Sequence, residues 1–135
     1  MASPKIQTLV EVLRTRSQAL PDKRVFTFLE EGYTSSEQLS FGELDTRARA
    51  IAATLQQLCS PGDRAVLLYP AGVPYITAFF GCLYAGVTAV PAFPPESLHQ
   101  RHLARLTAII RDAKPRLLLT ERALVEVVEG MRAGM

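Results

Sequence analysis

From Ala65 to Pro95 the chain carries no aspartate, glutamate, lysine or arginine. An uncharged run of that length can cross a bilayer, which needs roughly 20 consecutive apolar residues, or it can be the buried heart of a soluble fold. The helix breakers decide between the two. Pro70, Gly72 and Pro74 interrupt one end, and Gly86, Pro91, Pro94 and Pro95 interrupt the other. The uninterrupted piece, Tyr75 to Ala85, makes only about three turns of helix, far short of a hydrocarbon layer. Pro74 suits the first helical position, where its missing N–H costs nothing, and Gly86 suits the left-handed residue that closes a helix. The apolar residues around Leu67 and Leu68 before this helix, and Val87 to Val90 after it, read as short buried strands. The run is therefore a strand–helix–strand unit, hydrophobic on every side, and no membrane span is expected.

Ahead of it, Ser3-Pro4 offers an N-cap and a first-turn proline for a helix whose stripe is Ile6, Leu9, Val10 and Leu13. Pro21 pushes Leu20 out of helical geometry, so this helix should end by Ala19. Arg24 to Leu29 alternates Val25, Thr27 and Leu29 with Phe26 and Phe28, as a strand does. The polar stretch Glu30 to Glu37 should turn the chain back to a second strand near Gln38-Leu39. Ser40-Phe41-Gly42-Glu43 is a capping box that opens a helix with Leu44, Ala48, Ile51, Ala52, Leu55 and Leu58 inward and Arg47, Arg49, Gln56 and Gln57 off the stripe. Pro61-Gly62-Asp63 ends it and feeds the strand Arg64 to Tyr69.

Beyond the central unit, Ala92 to Pro95 is expected to be extended and outside any ladder. Ser97 should cap a helix with Leu103, Leu106, Ile110 and Ala113 buried, stopped by Lys114-Pro115. Arg116 to Leu119 reads as a third apolar strand, and Thr120 as the cap of a last helix with Leu124, Val127, Val128 and Met131 inward. Alternating strands and helices with charge-poor strands imply a parallel sheet. The expected class is α/β: an N-terminal β-hairpin plus a partial parallel sheet with crossover helices on both faces. Residues 1–135 then form a single partial domain, with a helix over 1–20, the hairpin over 24–40 and βα units over 41–130. Sheets of this type average about five or six strands, so three leave the domain incomplete at Met135.

Two stretches carry a family resemblance. Leu39-Ser40-Phe41-Gly42-Glu43-Leu44 and Leu83-Tyr84-Ala85-Gly86-Val87-Thr88-Ala89-Val90-Pro91 resemble the first and second core motifs of the adenylate-forming superfamily. The wording of the second, with the double proline Pro94-Pro95, most resembles the fatty acyl-AMP ligases. The resemblance runs from about Ile6 to Thr120 and makes the chain similar to the N-terminal portion of such an enzyme. It implies a parent that activates a fatty acid with ATP and Mg²⁺ to an acyl-adenylate and passes the acyl group to an acyl carrier protein. The superfamily's Ser/Thr/Gly-rich loop, aromatic-Gly-x-Thr-Glu motif, ribose-binding Asp and late catalytic Lys have no counterpart here. The expected catalytic, cofactor-binding and metal residues in this chain are therefore none, and the fragment alone should be inactive. A stand-alone interaction or binding module on the same fold, or another acyl- or aryl-CoA ligase, stays open.

Composition narrows the alternatives. A formal net charge of +2 gives no basic face for nucleic acid. The N-terminus lacks the pattern of a secretory signal, so the expected location is cytoplasmic, with Cys59 and Cys82 as reduced core thiols. His99 and His102 sit three apart beside Arg101 and Arg105, and together with Arg111 they read as a solvated helical face ahead of the alternatives, a metal pair for the histidines and a phosphate or carrier-protein contact for the arginines. Tyr69-Pro70-Ala71-Gly72 follows the carboxyl end of a strand, where open α/β sheets bind ligands, and reads at least as well as a tight loop feeding a buried helix. Tyr75, Phe79, Phe80 and Tyr84 read as core, because uniform hydrophobicity around a helix means burial. The open sheet edges and uncovered apolar faces lead us to expect self-association of the isolated chain.

Overall fold

A computed structural model describes residues 8–29, 36–95 and 99–133. In chain order it contains α1 (Leu9–Ala19), β1 (Arg24–Leu29), β2 (Ser36–Ser40), α2 (Phe41–Leu58), β3 (Arg64–Leu68), α3 (Val73–Ala85), β4 (Thr88–Ala92), α4 (Gln100–Ala113), β5 (Leu117–Thr120) and α5 (Val125–Ala133). A 3₁₀ turn, Arg122–Leu124, leads into α5. Strands β1 and β2 form an antiparallel pair, and β4, β3 and β5 form a parallel sheet in that order. This is the expected α/β class. No helix among the described residues is long and apolar enough to cross a membrane.

The sheet order fixes where the helices lie. The crossover through α3 moves from the central strand to one edge, and the crossover through α4 moves back past the centre to the other. Two right-handed crossovers in opposite directions must place their helices on opposite faces. The cores show this. Leu67 packs with Ala52, Leu55, Ala78 and Cys82 from α2 and α3. The next residue, Leu68, packs with Leu106 of α4 and Met131 of α5. Alternation along one strand, buried from Ala65 to Leu68, thus supplies both cores. A third cluster, Leu13, Leu39, Leu44 and Val73, seats the hairpin and α1 against α2 and α3.

Local chemistry explains most boundaries. The Ser40 hydroxyl accepts from the Glu43 N–H and the Glu43 carboxylate accepts from the Ser40 N–H, both at 3.1 Å, which completes the capping box. The exposed Glu43 carboxyl is held below its ordinary range, chiefly by the bond from the Ser40 backbone. Gly86 closes α3 in the left-handed region (φ 75°), with the Val87 N–H bonded back to the Cys82 carbonyl at 2.9 Å. Gly81 lets α2 and α3 touch: a Cβ there would lie 2.5 Å from the Ile51 methyl. Leu20 leaves the helical region before Pro21, so α1 ends at Ala19 as the proline requires.

The differences from the sequence reading are local. Helix α1 starts at Leu9 with Thr8 as its N-cap, and the Thr8 hydroxyl accepts from the Glu11 N–H; Ser3, Pro4 and Ile6 lie outside the described residues. Leu9 is exposed, because a helix starting there turns its first residue away from the hairpin core, and Leu58 is exposed at the last turn of α2. The expected tip, Glu30 to Glu37, lies partly outside the described residues, and β2 reaches back to Ser36. A bulge between Arg24 and Phe26 breaks strict alternation, so Val25 joins Phe26 and Phe28 against one core. Helix α3 begins one residue earlier than read, placing Pro74 second, where its missing N–H is equally harmless. Strand β3 stops at Leu68, and β4 extends through Pro91 and Ala92, which the proline was expected to forbid. The Thr88 N–H donates to the Asp63 carbonyl, so Thr88, Val90 and Ala92 turn their backbone groups to β3 and Pro91 turns its own outward. A missing donor on the outer side of an edge strand costs the ladder nothing. His99, not Ser97, holds the N-cap of α4, and Ser97 lies outside the described residues. Thr120 ends β5 instead of capping a helix, since its hydroxyl donates to the Leu68 carbonyl at 2.7 Å.

Candidate functional site

The carboxyl ends of β3 and β4 open into a groove of about 700 Å³. Its near wall is the loop after β3, where Tyr69 and Ala71 precede the first turn of α3 and its Tyr75. Its floor is the end of β4 and the extended run beyond it, Pro91 to Pro95. Helix α4 forms the far wall with Arg101, Arg105, Leu106 and Ile109. The sequence places the groove here for a plain reason. Pro94 and Pro95 cannot enter a helix interior or donate to a ladder, so the chain leaves the sheet extended before α4 can start. The gap between α3 and α4 at this rim is the result.

The groove is mostly apolar with a cationic lip. Phe93 is 84% exposed, an unusual state for a phenyl ring, and stands at the opening. Arg101 and Arg105 are exposed and lie one helical turn apart, so both reach the same wall. Tyr69 is half-buried and its phenol is pushed above its ordinary value, first by burial and then by the neighbouring Cys82 and Glu121. It remains a neutral hydrogen-bonding group at neutral pH. Among the described residues no carboxylate, imidazole or thiol belongs to the lining. Such a surface can hold an apolar body and fix an anionic end.

The residues singled out in the sequence divide between this groove and the core. Tyr69 and Ala71 reach the rim, as their place after a strand's carboxyl end indicated. Of the arginines read as a solvated face, Arg101 and Arg105 are solvated yet line the groove, while Arg111 lies outside it. The signal that would have found them is positional: α4 follows directly from the rim strand. Phe79 and Tyr84 pack against the α2–α3 core, and Phe80 packs against the hairpin core. Tyr75 does both, packing beside Phe79 with ring centroids 6.2 Å apart and lining the groove. The Tyr84 hydroxyl donates to Asp45 Oδ1 at 2.7 Å, and the Arg49 guanidinium bonds Asp45 Oδ2 at 2.9 Å. That triad pins α3 to α2, and burial followed by the Asp45 bond raises the Tyr84 phenol far above its usual value. The Cys82 thiol is pushed up to about 11 by burial, so it stays an inert thiol. His99 is exposed at the start of α4, and the His102 side chain lies outside the described residues. No cluster of three or more metal-ligating side chains occurs among the described residues.

A parallel sheet with helices on both faces, a flanking hairpin and a rim groove defines an α/β protein of the open-sheet kind. Residues 13–133 match the AMP-binding enzyme family, and the chain belongs to that family. It is 44% identical over 122 residues to the medium-chain fatty-acid acyl-carrier-protein ligase JamA of Moorena producens, covering 90% of this chain and 21% of that protein. It is 40% identical over 114 residues to the long-chain-fatty-acid–AMP ligase FadD32 of Mycolicibacterium smegmatis, covering 82% of this chain and 17% of that one. Among solved structures, the fatty acyl-adenylate ligase of Legionella pneumophila in complex with acyl adenylate and pyrophosphate superposes with a TM-score of 0.85 at 40% identity, over 90% of this chain and 21% of that one. The chain thus spans about a fifth of the length of the relatives it matches. The fold extends further: the structure of McyG A-PCP complexed with phenylalanyl-adenylate superposes with a TM-score of 0.80 at 20% identity, over 100% of this chain and 22% of that one.

Proposed function

We propose that this chain is the amino-terminal scaffold of a fatty-acid-adenylating enzyme. The likeness to the Legionella ligase carries the proposal, because 40% identity and close superposition extend over nearly the whole described chain. In the intact enzyme a fatty-acid carboxylate attacks the α-phosphorus of ATP and forms the acyl–phosphate bond. Pyrophosphate leaves, and the thiol of an acyl carrier protein then displaces AMP; a Mg²⁺ ion, where bound, would supply charge neutralisation for the phosphates. Residues 1–135 contribute one partial domain to that machine: the hairpin, part of a sheet and the rim groove.

The residues present do not fit a nucleotide triphosphate. Convergent backbone N–H groups of a glycine-rich loop are the usual cradle for phosphates, and the sequence contains no such loop. We therefore assign no catalytic, nucleotide-contacting or metal-ligating role to any residue of this chain. Its contribution is to position: the groove offers apolar surface and a cationic lip at the rim where ligands of open α/β sheets bind. The two thiols and the uncharged core are consistent with a cytoplasmic setting.

The test is a chimaera. The matching segment of the Legionella ligase is replaced by this chain, and acyl-adenylate formation from fatty acid and ATP is measured. The expected result is a folded chimaera that still makes acyl-adenylate. A chimaera that melts like the parent enzyme but forms none would overturn the proposal and favour a binding module.

A further inference from the structure

Helices α1 and α2 meet through Leu13 and Leu44, which share a buried cluster. Beside that contact the seam widens into a recess of about 260 Å³, lined by Arg14 of α1, by Arg49, Ala52, Ala53 and Gln56 of α2, and by Tyr84 of α3. The α2 residues fall at i, i+3, i+4 and i+7, so one face of that helix carries all four. The two alanines explain why the helices do not close here, since a side chain of one carbon leaves space that a leucine would fill. The walls belong to three helices packed on one another, so the shape of the recess is set within the described residues. Its charges do not balance. Asp45 bonds Arg49 Nε through Oδ2 at 2.9 Å and accepts from the Tyr84 hydroxyl through Oδ1 at 2.7 Å, so both carboxylate oxygens are engaged. Among the described residues the Arg14 guanidinium makes no hydrogen bond or ion pair, and the lining holds no carboxylate. The positive charge of Arg14 and that of Arg49 both act on the Tyr84 phenol, from two different helices.

We propose that this recess is a binding site for a small carboxylate with a short apolar tail, its head held by Arg14 and Arg49 and its tail laid on Ala52 and Ala53. A guanidinium carries five N–H donors, and the bond from Nε to Asp45 leaves the others of Arg49 to give. With the Arg14 guanidinium and the Gln56 amide they supply more than enough donors for the two oxygens of one carboxylate, and guanidinium–carboxylate bonds are the strong, charge-assisted kind. A monoanion also cancels the single excess charge that two arginines and Asp45 leave. The recess has little more than a third of the volume of the rim groove and shares no lining residue with it, so it suits an acid of a few carbons and is a separate site.

The experiment is a titration of the 135-residue chain with butyrate at constant ionic strength, followed through the arginine Nε–H resonances. The expected result is that the Arg14 and Arg49 signals move along one saturating curve with a dissociation constant of about 10 mM or below, while Arg16 and Arg47 stay in place. Butyramide, which keeps the shape and lacks the charge, should move none of them. Arg14→Gln should weaken butyrate binding about tenfold, and Arg16→Gln should leave it unchanged. Arg14 is exposed and belongs to no core cluster, so helical circular dichroism should not change. If that variant does not fold, the comparison of butyrate with butyramide on the natural chain decides alone. Shifts that stay linear and alike at every arginine, butyramide acting as well as butyrate, or a folded Arg14→Gln variant that binds like the natural chain would overturn the proposal.

Discussion

The buried side of the sheet against α3 and the carboxyl-end rim both draw on the same uncharged run, yet they do opposite things. On the α2–α3 side, Ala65, Leu67 and Cys82 are fully buried, and Gly81 lets two helices approach until an added methyl has no room. At the rim, the run continues as Phe93, Pro94 and Pro95, and a phenyl ring stands in solvent beside a groove. The change comes at the prolines. Where the backbone can pair or coil, apolar side chains close on one another; where it can do neither, the surface stays open. Uniform hydrophobicity therefore does not mean uniform burial, and the open part is where this chain has something to offer a ligand.

Substitutions on the two sides should separate this contrast cleanly. Leu67→Ala leaves a cavity in the densest core and should cost about 2–5 kcal/mol of unfolding free energy, read by urea denaturation. A loss near that of a surface change would mean that the sheet is not the centre of stability. Gly86→Val forces a β-branched residue into the left-handed region and should cost about 1–3 kcal/mol; an unchanged midpoint would show that α3 closes in another way.

Ser40→Ala removes half of the capping box and should cost about 1 kcal/mol. Its partner carries a pH signature. Because the Glu43 carboxyl is depressed in the folded chain, its contribution is complete above the ordinary carboxylate value of 4.5 and fades as pH falls through the lower folded value. Glu43→Gln should flatten that acid limb by lowering stability at neutral pH while changing it little at acid pH, where the natural carboxyl is already protonated. Phe93→Ala, at the rim, should move the midpoint by less than about 0.5 kcal/mol, since an exposed ring holds nothing in place. A large loss there would erase the distinction between the two regions.

Much of this was legible in the residues. The breakers around Tyr75 to Ala85, the capping box and the strand–helix alternation located most elements within a few positions, because each rests on local backbone chemistry. The missed caps at Thr8 and His99 share a cause: Ser3 and Ser97 are better capping residues, but where a helix starts depends on which turn packs. Thr120 failed as a cap because a carbonyl of the neighbouring strand claimed its hydroxyl. Pro91 was misjudged because a sequence does not say which strand will be an edge. The groove itself was half visible: Tyr69 and Ala71 could be placed after a strand's carboxyl end, but Arg101 and Arg105 acquire meaning only when α4 folds back over the rim.

The account holds that this chain supplies walls and scaffold while the nucleotide is bound elsewhere. Calorimetry of the chain with ATP and Mg²⁺ tests that directly. No measurable heat of binding is predicted, because the groove has a cationic lip but no converging backbone N–H groups to hold a triphosphate. Saturable binding in the micromolar range would contradict the account and place a nucleotide site within these residues.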